Sequence, residues 1–414
     1  MENKIDWITL LLYVAILLFG WMNIYAACYD GVHTAFFDMK SQHGRQLMWM
    51  GVSLLIGATI LLIKPRIISS SSYIIYLLVM LLMVVTFFVA RDVKGGHSWI
   101  DIGPFKLQSS EFAKIATALA VAKYVGGIDI DIRQWRHQLV AWTLVVIPMG
   151  LTLLQHDMGS ALVFAGFVLP MFREGMSPSI LVIGIVAAVL FVLALVVNQF
   201  IIAGIIVLIA AAYLFIWLNK RTRRDYTRAI GIAVVAIAFT FSVDFFFNKL
   251  DTHQQERIQV LLGQCDDIQG TGYNQHQSKI AIGSGGLTGK GFLKGTITKA
   301  DFVPEQETDF IFCTVGEEWG FLGATALLVC YCLLLCRLVM LAERQYSRYA
   351  RFYGYSIASI LFIHVFINIG MVLGLLPVIG IPLPFFSYGG SSLMAFSLML
   401  AIFLRQDQDR NKAM

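Results

Sequence analysis

The chain is 414 residues long, 58% hydrophobic and only 14% charged, with a mean hydropathy of +0.73. Soluble domains carry about 25% charged residues, so this balance excludes an ordinary soluble globule. The formal net charge of +5 is no argument for nucleic acid, because the basic residues lie between apolar runs and not on an aromatic-laced soluble surface.

Crossing a bilayer as a helix takes about 20 apolar residues. Such runs fall at 8–27, 47–63, 73–90, 111–125, 139–155, 158–172, 179–197, 200–217, 229–247, 310–336, 352–376 and 388–404. They predict an all-α, polytopic membrane helix bundle of about 12 transmembrane segments. Glu2, Lys4 and Asp6 precede the first run, which is not a positive leader, so that run reads as a retained span. Pro148 interrupts the fifth run and the sixth is short, so 139–172 is a candidate broken or re-entrant hairpin. With the N-terminus inside, Lys64 and Arg66, Arg133 and Arg136, the 219–228 cluster, Arg337 to Arg351 and the basic tail all fall on one side. Basic residues in short loops mark the cytoplasmic side. Both termini are then cytoplasmic, and the polar stretch 248–309 is extracytoplasmic. The chain reads as one membrane domain, 1–414: spans one to nine (1–247), the long loop (248–309), and the last three spans with the tail (310–414).

Taken in order, the first outer residue of interest is Trp99, an interfacial anchor or a lining residue. Glu111 and Lys114 stand three apart at the start of the fourth run, hence on one helix face. Ionisable residues inside a span are functional by default, with a structural ion pair as the plainer alternative. Asp157, at the outer apex QHDMGS, either caps the next helix or lines a cavity. The 248–309 loop is too long to be a mere connection, and Ile280, Ile282, Leu287, Phe292, Phe302 and Val303 give it residues to pack. It brings lysines 279, 290, 294 and 299 beside Glu305, Glu307 and Asp309. The run GSGGLTGKG is not a phosphate loop, since Ser284 stands where glycine is needed and Gly291 where Ser or Thr should follow the lysine. Farther on, Asn368 lies within the eleventh run. The segment PVIGIPLPFFSYGGSS (377–392) cannot be a straight helix, so it must line a cavity or be buried in protein. Cys330, Cys332 and Cys336 lack metal-ligand spacing; Cys28 and Cys265 both fall on the outer side, where a disulfide is possible and free thiols are preferred.

Several of these stretches together resemble one family. SKIAIGSGGLTGKGFLKGT (278–296), FVPEQETDFIF (302–312), GEEWGFLG (316–323), GHSWIDIGPFKLQSSEFAK, QHDMGSA and NIGMVLGLLPVIGIPLPFFSYGGSS closely resemble the SEDS proteins (shape, elongation, division, sporulation), RodA and FtsW among them. The run KGFLKGT is closer to the RodA type. The resemblance implies a peptidoglycan glycosyltransferase that polymerises lipid II on the outer face of the bacterial cytoplasmic membrane. It implies as partners the nascent glycan strand, a class B penicillin-binding transpeptidase and other elongation-complex membrane proteins. It assigns the essential carboxylate to Asp309 and matches Trp99, Glu111, Lys114 and Asp157 to family motifs; Lys279 and Glu305 are further candidates for the substrate. A divalent cation, Mg²⁺ or Mn²⁺, is a further expected aid to pyrophosphate departure, alongside Lys114 and Lys279, with its ligands unknown. The sequence departs from the family at Glu307, where histidine is usual, and at Ser109 and His156, where proline is usual. Family members have about ten spans, so one extra hairpin is expected within 179–217. Two rival readings are a lipid-precursor flippase, suited by intramembrane Glu111, Lys114 and Asp157, and a non-catalytic scaffold for the transpeptidase. The gathering of these residues near one face favours the enzyme.

Overall fold

The computed structural model describes residues 5–29, 37–90, 98–102, 105–217, 223–249, 252–262, 272–299 and 302–410. Every apolar run predicted above is helical. The chain forms α1 (Trp7–Ala27), α2 (Gln42–Leu62), α3 (Pro65–Ser70) and α4 (Ser72–Val89), then a hairpin of β1 (Trp99–Ile102) and β2 (Phe105–Gln108). Next come α5 (Ser109–Val125), α6 (Trp135–Leu154), α7 (Met158–Phe164) and α8 (Val168–Arg173), the last two joined by a 3-10 turn at Ala165–Phe167. The fifth run is therefore continuous despite Pro148; the sixth is the one that changes helical type.

Two compact units follow from the packing. One comprises Met1–Met176 with Tyr273–Met414; the other is Ser177–Gly272. The division cuts the long polar stretch, giving 248–272 to the second unit and 273–309 to the first. The second unit holds α9 (Pro178–Val196), α10 (Gln199–Ala212), α11 (Arg223–Phe247) and α12 (Thr252–Leu261), with Ala194, Ile202 and Val243 at its core. Pro178 at the first turn starts α9, and Asn198 caps α10 by accepting from the Phe200 amide at 2.9 Å. These two helices make a hairpin in the region where an extra one is expected.

The first unit is completed by α13 (Tyr273–Ser284), α14 (Ile311–Glu343), α15 (Arg348–Val372) and α16 (Gly390–Gln408). Among the described residues, α1, α2, α4, α6, α9, α11, α14 and α15 are long and apolar enough to cross a membrane; α5, α16, α10 and the α7–α8 stretch are shorter or less apolar. The chain is a multi-pass helical membrane protein. Its central mast is α15, buried over 83% of its most apolar window, against 39% or less for the other seven.

Helix α14 breaks at Gly320, whose φ of 64° is left-handed. The break frees backbone groups, and the glycine-rich run 285–291 takes them up. Lys290 N donates to Glu317 O at 3.0 Å and Gly291 N to Glu318 O at 2.9 Å; Phe321 N and Leu322 N donate back to Gly286 O and Leu287 O at 2.9 and 3.1 Å. A side chain on Gly285 or Gly289 would collide with the α14 backbone. The run that mimics a phosphate loop is thus a docking strip, and its glycines permit close backbone approach.

Candidate active site

One cavity of about 590 Å³ opens where five segments of the first unit meet. The start of α2 brings Arg45 and Trp49; the β-hairpin brings Trp99, Lys106 and Gln108. The apex before α7 brings His156 and Asp157, the turn before α14 brings Glu305, Thr308 and Asp309, and the irregular segment before α16 brings Gly380, Pro382 and Tyr388. Of the residues singled out from sequence, Trp99, Asp157, Glu305 and Asp309 are therefore brought together.

Asp309 is fixed through its backbone. Buried Phe310, Ile311 and Phe312 anchor the start of α14 immediately after it. Asn368 Nδ2, on α15, donates to the Asp309 carbonyl at 2.8 Å and to the Ile381 carbonyl at 2.7 Å. Asn368 thereby ties the acidic turn to the irregular segment. The Asp309 amide donates to the Glu305 carbonyl at 3.1 Å. Beside it, a Cβ on Gly380 (φ 75°) would lie 3.3 Å from Asp309 Oδ2, so glycine there keeps the carboxylate clear.

Asp157 does both things its sequence context allows. Its Oδ1 accepts from Ser160 N at 2.9 Å and caps α7. Its Oδ2 accepts from Gln108 Nε2 at 2.8 Å and from Ser110 Oγ at 3.1 Å. Trp99 pairs with Gln108 across the hairpin. The hairpin is pinned to the start of α16, since Ser391 Oγ donates to Lys106 O at 2.9 Å and accepts from Gln108 N at 3.2 Å. Trp49 lies flat on Gly390, where any Cβ would overlap its indole.

Two non-glycine residues that line the cavity, His156 and Glu305, both have φ of 59°. Left-handed backbone costs of order 1–3 kcal/mol at such residues and tends to cluster at working sites. Glu305 is held there by its own carbonyl, which accepts from the amides of Thr308, Asp309 and Phe310.

Glu111, Lys114 and Lys279 are not among the lining residues. Lys114 Nζ donates to Glu111 Oε1 at 2.7 Å, contacts His364 Nε2 at 2.9 Å, and sits 5.3 Å from the Phe396 ring centre. Glu111 and Lys114 are fully buried and pair with each other apart from the lining residues, with Glu111 Oε2 accepting no hydrogen bond among the described residues. Lys279 is exposed on α13 and runs along Gly374. The Cys28 sulfur lies 3.9 Å from Glu307 Oε1; Cys265, and with it any pairing of the two, lies outside the described residues. Sequence reading placed the irregular 377–392 segment at a cavity without singling out Gly380 or Tyr388, and missed Arg45 and Lys106. The signal for Arg45 and Lys106 was a cation at the outer edge of a span or hairpin.

The family model of the FtsW, RodA and SpoVE cell cycle proteins matches residues 6–202 and 167–412. The peptidoglycan glycosyltransferase MrdB of Escherichia coli K12 is 35% identical over 314 residues, covering 75% of this chain and 71% of that protein. RodA of Treponema pallidum, also named a peptidoglycan glycosyltransferase, is 28% identical over 98% of both chains. Among solved structures, a chain of a peptidoglycan synthase complex that coordinates polymerisation and crosslinking superposes with a TM-score of 0.69 at 27% identity over 98% of each chain. The rod shape determining protein RodA of Thermus thermophilus superposes with a TM-score of 0.63 at 27% identity over 98% of each chain.

Proposed function

The chain belongs to the FtsW, RodA and SpoVE family and is a peptidoglycan glycosyltransferase, and from that premise we propose that Asp309 is the base with which it polymerises lipid II. The observation that carries this reading is one cavity lined by Asp309 together with the cations Arg45 and Lys106.

The chemistry replaces an α-linked polyprenyl pyrophosphate with a β-1,4 bond between sugars, an inversion at the anomeric carbon. It needs one base on the acceptor and stabilisation of the leaving group. Asp309 takes the proton of the acceptor 4-hydroxyl, a role worth about 10²–10⁴-fold in rate. The departing pyrophosphate carries its negative charge toward Arg45 and Lys106, beside the N-terminus of α16, which favours anions. Leaving-group stabilisation thus falls to these two cations in place of Lys114 and Lys279. Trp49 and Trp99 offer flat faces to sugar rings, and the oxocarbenium-like transition state forms between the two charged sides.

Among the described residues, no three His, Cys, Asp or Glu side chains form a metal cage. A Mg²⁺-like ion needs no such cage, since it binds through one or two carboxylates together with substrate phosphates. Asp157 and Glu305 are the cavity carboxylates that would hold it, and it would supply charge neutralisation to the pyrophosphate. The cavity is assigned to the outer face of the bacterial cytoplasmic membrane, with both termini cytoplasmic. A transpeptidase is the proposed partner, supported by the likeness to a synthase complex that also crosslinks.

The test is polymerisation of labelled lipid II by purified protein, alone and with its transpeptidase, with divalent cation present and then chelated. Glycan ladders from wild type and none from folded Asp309→Asn are expected. Equal ladders from both would remove Asp309 from the role of base. Lipid II crossing proteoliposomes without polymer would favour the flippase.

A further inference from the structure

Glu317 lies in α14 beyond Asp309, fully buried, and is not among the cavity-lining residues. A buried carboxylate is costly unless its oxygens are satisfied. Here they are. Oε1 accepts from Lys290 Nζ at 2.6 Å, from Thr296 N and Oγ1 at 2.8 and 3.0 Å, and from Ile297 N at 3.0 Å. Oε2 accepts from Thr298 N and Oγ1 at 2.9 and 2.7 Å. The segment 290–298 contains no helix or strand; the α14 main chain and Glu318 hold its first part at Lys290, Gly291 and Gly295, and the Glu317 side chain holds 296–298.

That course continues to the acidic turn. The Thr298 carbonyl accepts from Gln306 Nε2 at 2.8 Å, and the same amide reaches the Ala27 carbonyl at the end of α1, at 3.3 Å. Gln306 follows Glu305, whose strained carbonyl receives the Asp309 amide. A continuous chain of hydrogen bonds and three peptide units therefore runs from Glu317 to the backbone of Asp309.

We infer that Glu317 is a positioning residue for Asp309, acting through Thr296–Thr298 and Gln306. This rests on the assignment of Asp309 as the base. Removing the Glu317 charge loosens 296–298, releases Gln306, and lets the acidic turn shift, while Arg45, Trp49, Trp99 and Lys106 on other segments of the cavity stay in place.

The experiment measures initial rates of lipid II polymerisation and thermal unfolding in detergent for wild type, Asp309→Asn, Glu317→Gln, Gln306→Ala and the double variant Glu317→Gln with Gln306→Ala. Displacements near 1 Å cost about 10²-fold, so folded Glu317→Gln should lose about that much kcat with KM unchanged. The double variant should lose little more than the single, since both changes cut one path. Wild-type kcat in Glu317→Gln, or losses that multiply in the double variant, would overturn the inference. If Glu317→Gln does not fold, Gln306→Ala decides alone, because it leaves the Glu317 cluster intact: a fall in kcat at constant KM supports the path, and an unchanged kcat overturns it. Asp309→Asn separates the two claims. Full activity there removes the base itself, whereas a dead Asp309→Asn beside a wild-type Glu317→Gln removes only the positioning role.

Discussion

The helices α1, α7–α8, α14, α15 and α16 have two very different ends. One end holds the cavity, where irregular backbone, left-handed residues and uncompressed glycines set the geometry. At the other, arginines clamp carboxylates. Arg173 Nη2 meets Glu343 Oε1 at 2.7 Å, Arg351 Nε meets Glu174 Oε1 at 2.8 Å, and Arg344 Nε meets Asp407 Oδ1 at 2.8 Å. Arg337 clamps Asp6, the N-cap of α1. The same helices thus serve as a fixed base at one end and as posts for a shaped chamber at the other. Charged pairs hold helices together where nothing has to react, and the cavity end leaves its cations and acids facing a common space.

That contrast can be broken from either end. The largest effect belongs to Asp309→Asn, which should lower polymerisation by about 10²–10⁴-fold with unfolding unchanged. Asp157→Asn should follow, with about a tenfold to hundredfold lower kcat/KM, since the charge that accepts from Gln108 and Ser110 is lost. At the clamped end the sign of the contrast reverses. Among the described residues, Arg344→Ala leaves the buried Asp407 with Gln345 and Arg410 and should cost about 3 kcal/mol in thermal unfolding, with kcat per folded molecule unchanged. A drop in kcat of the folded variant would show that the two ends are coupled. Arg173→Ala breaks a pair whose members are 52% and 46% exposed, so it should move stability by only about 0–1 kcal/mol.

Acid gives the mildest probe. Burial alone would raise the Asp6 carboxyl, but hydrogen bonds from Arg337 and Thr9 outweigh it and hold it at about 2, below the ordinary 3.8. Its contribution is therefore complete above the ordinary value and is lost as pH falls toward about 2. An Asp6→Asn protein should unfold with a weaker acid dependence over that window.

The helices were legible because a membrane demands long apolar runs, and that demand is local. Asp309, Glu305 and Asp157 stood out as acids beside such runs and Trp99 as an interfacial aromatic, while it was the family resemblance that assigned Asp309 its role. What brings them together is not local. Trp49 rests on Gly390 and Asp309 faces Gly380, across hundreds and tens of residues of chain respectively. No spacing rule reports such an approach. Glu111 and Lys114 stood out for the same reason as the site residues, yet intramembrane charge alone does not distinguish a sealed pair from a lining one. Glu317 was overlooked because a carboxylate early in an apolar helix gives no hint of the donors that surround it.

The break at Gly320 has a consequence for how this protein tolerates change. Run 286–291 is held to α14 by main-chain atoms, while Leu287 and Thr288 point their side chains outward. Spelling errors at Leu287 and Thr288, one residue exchanged for another, should pass almost unnoticed, whereas a side chain at Gly289 would strike the α14 backbone. A single letter inserted or deleted between 286 and 291 would slide the whole strip out of step with α14 and carry the lysine at 290 off its acid.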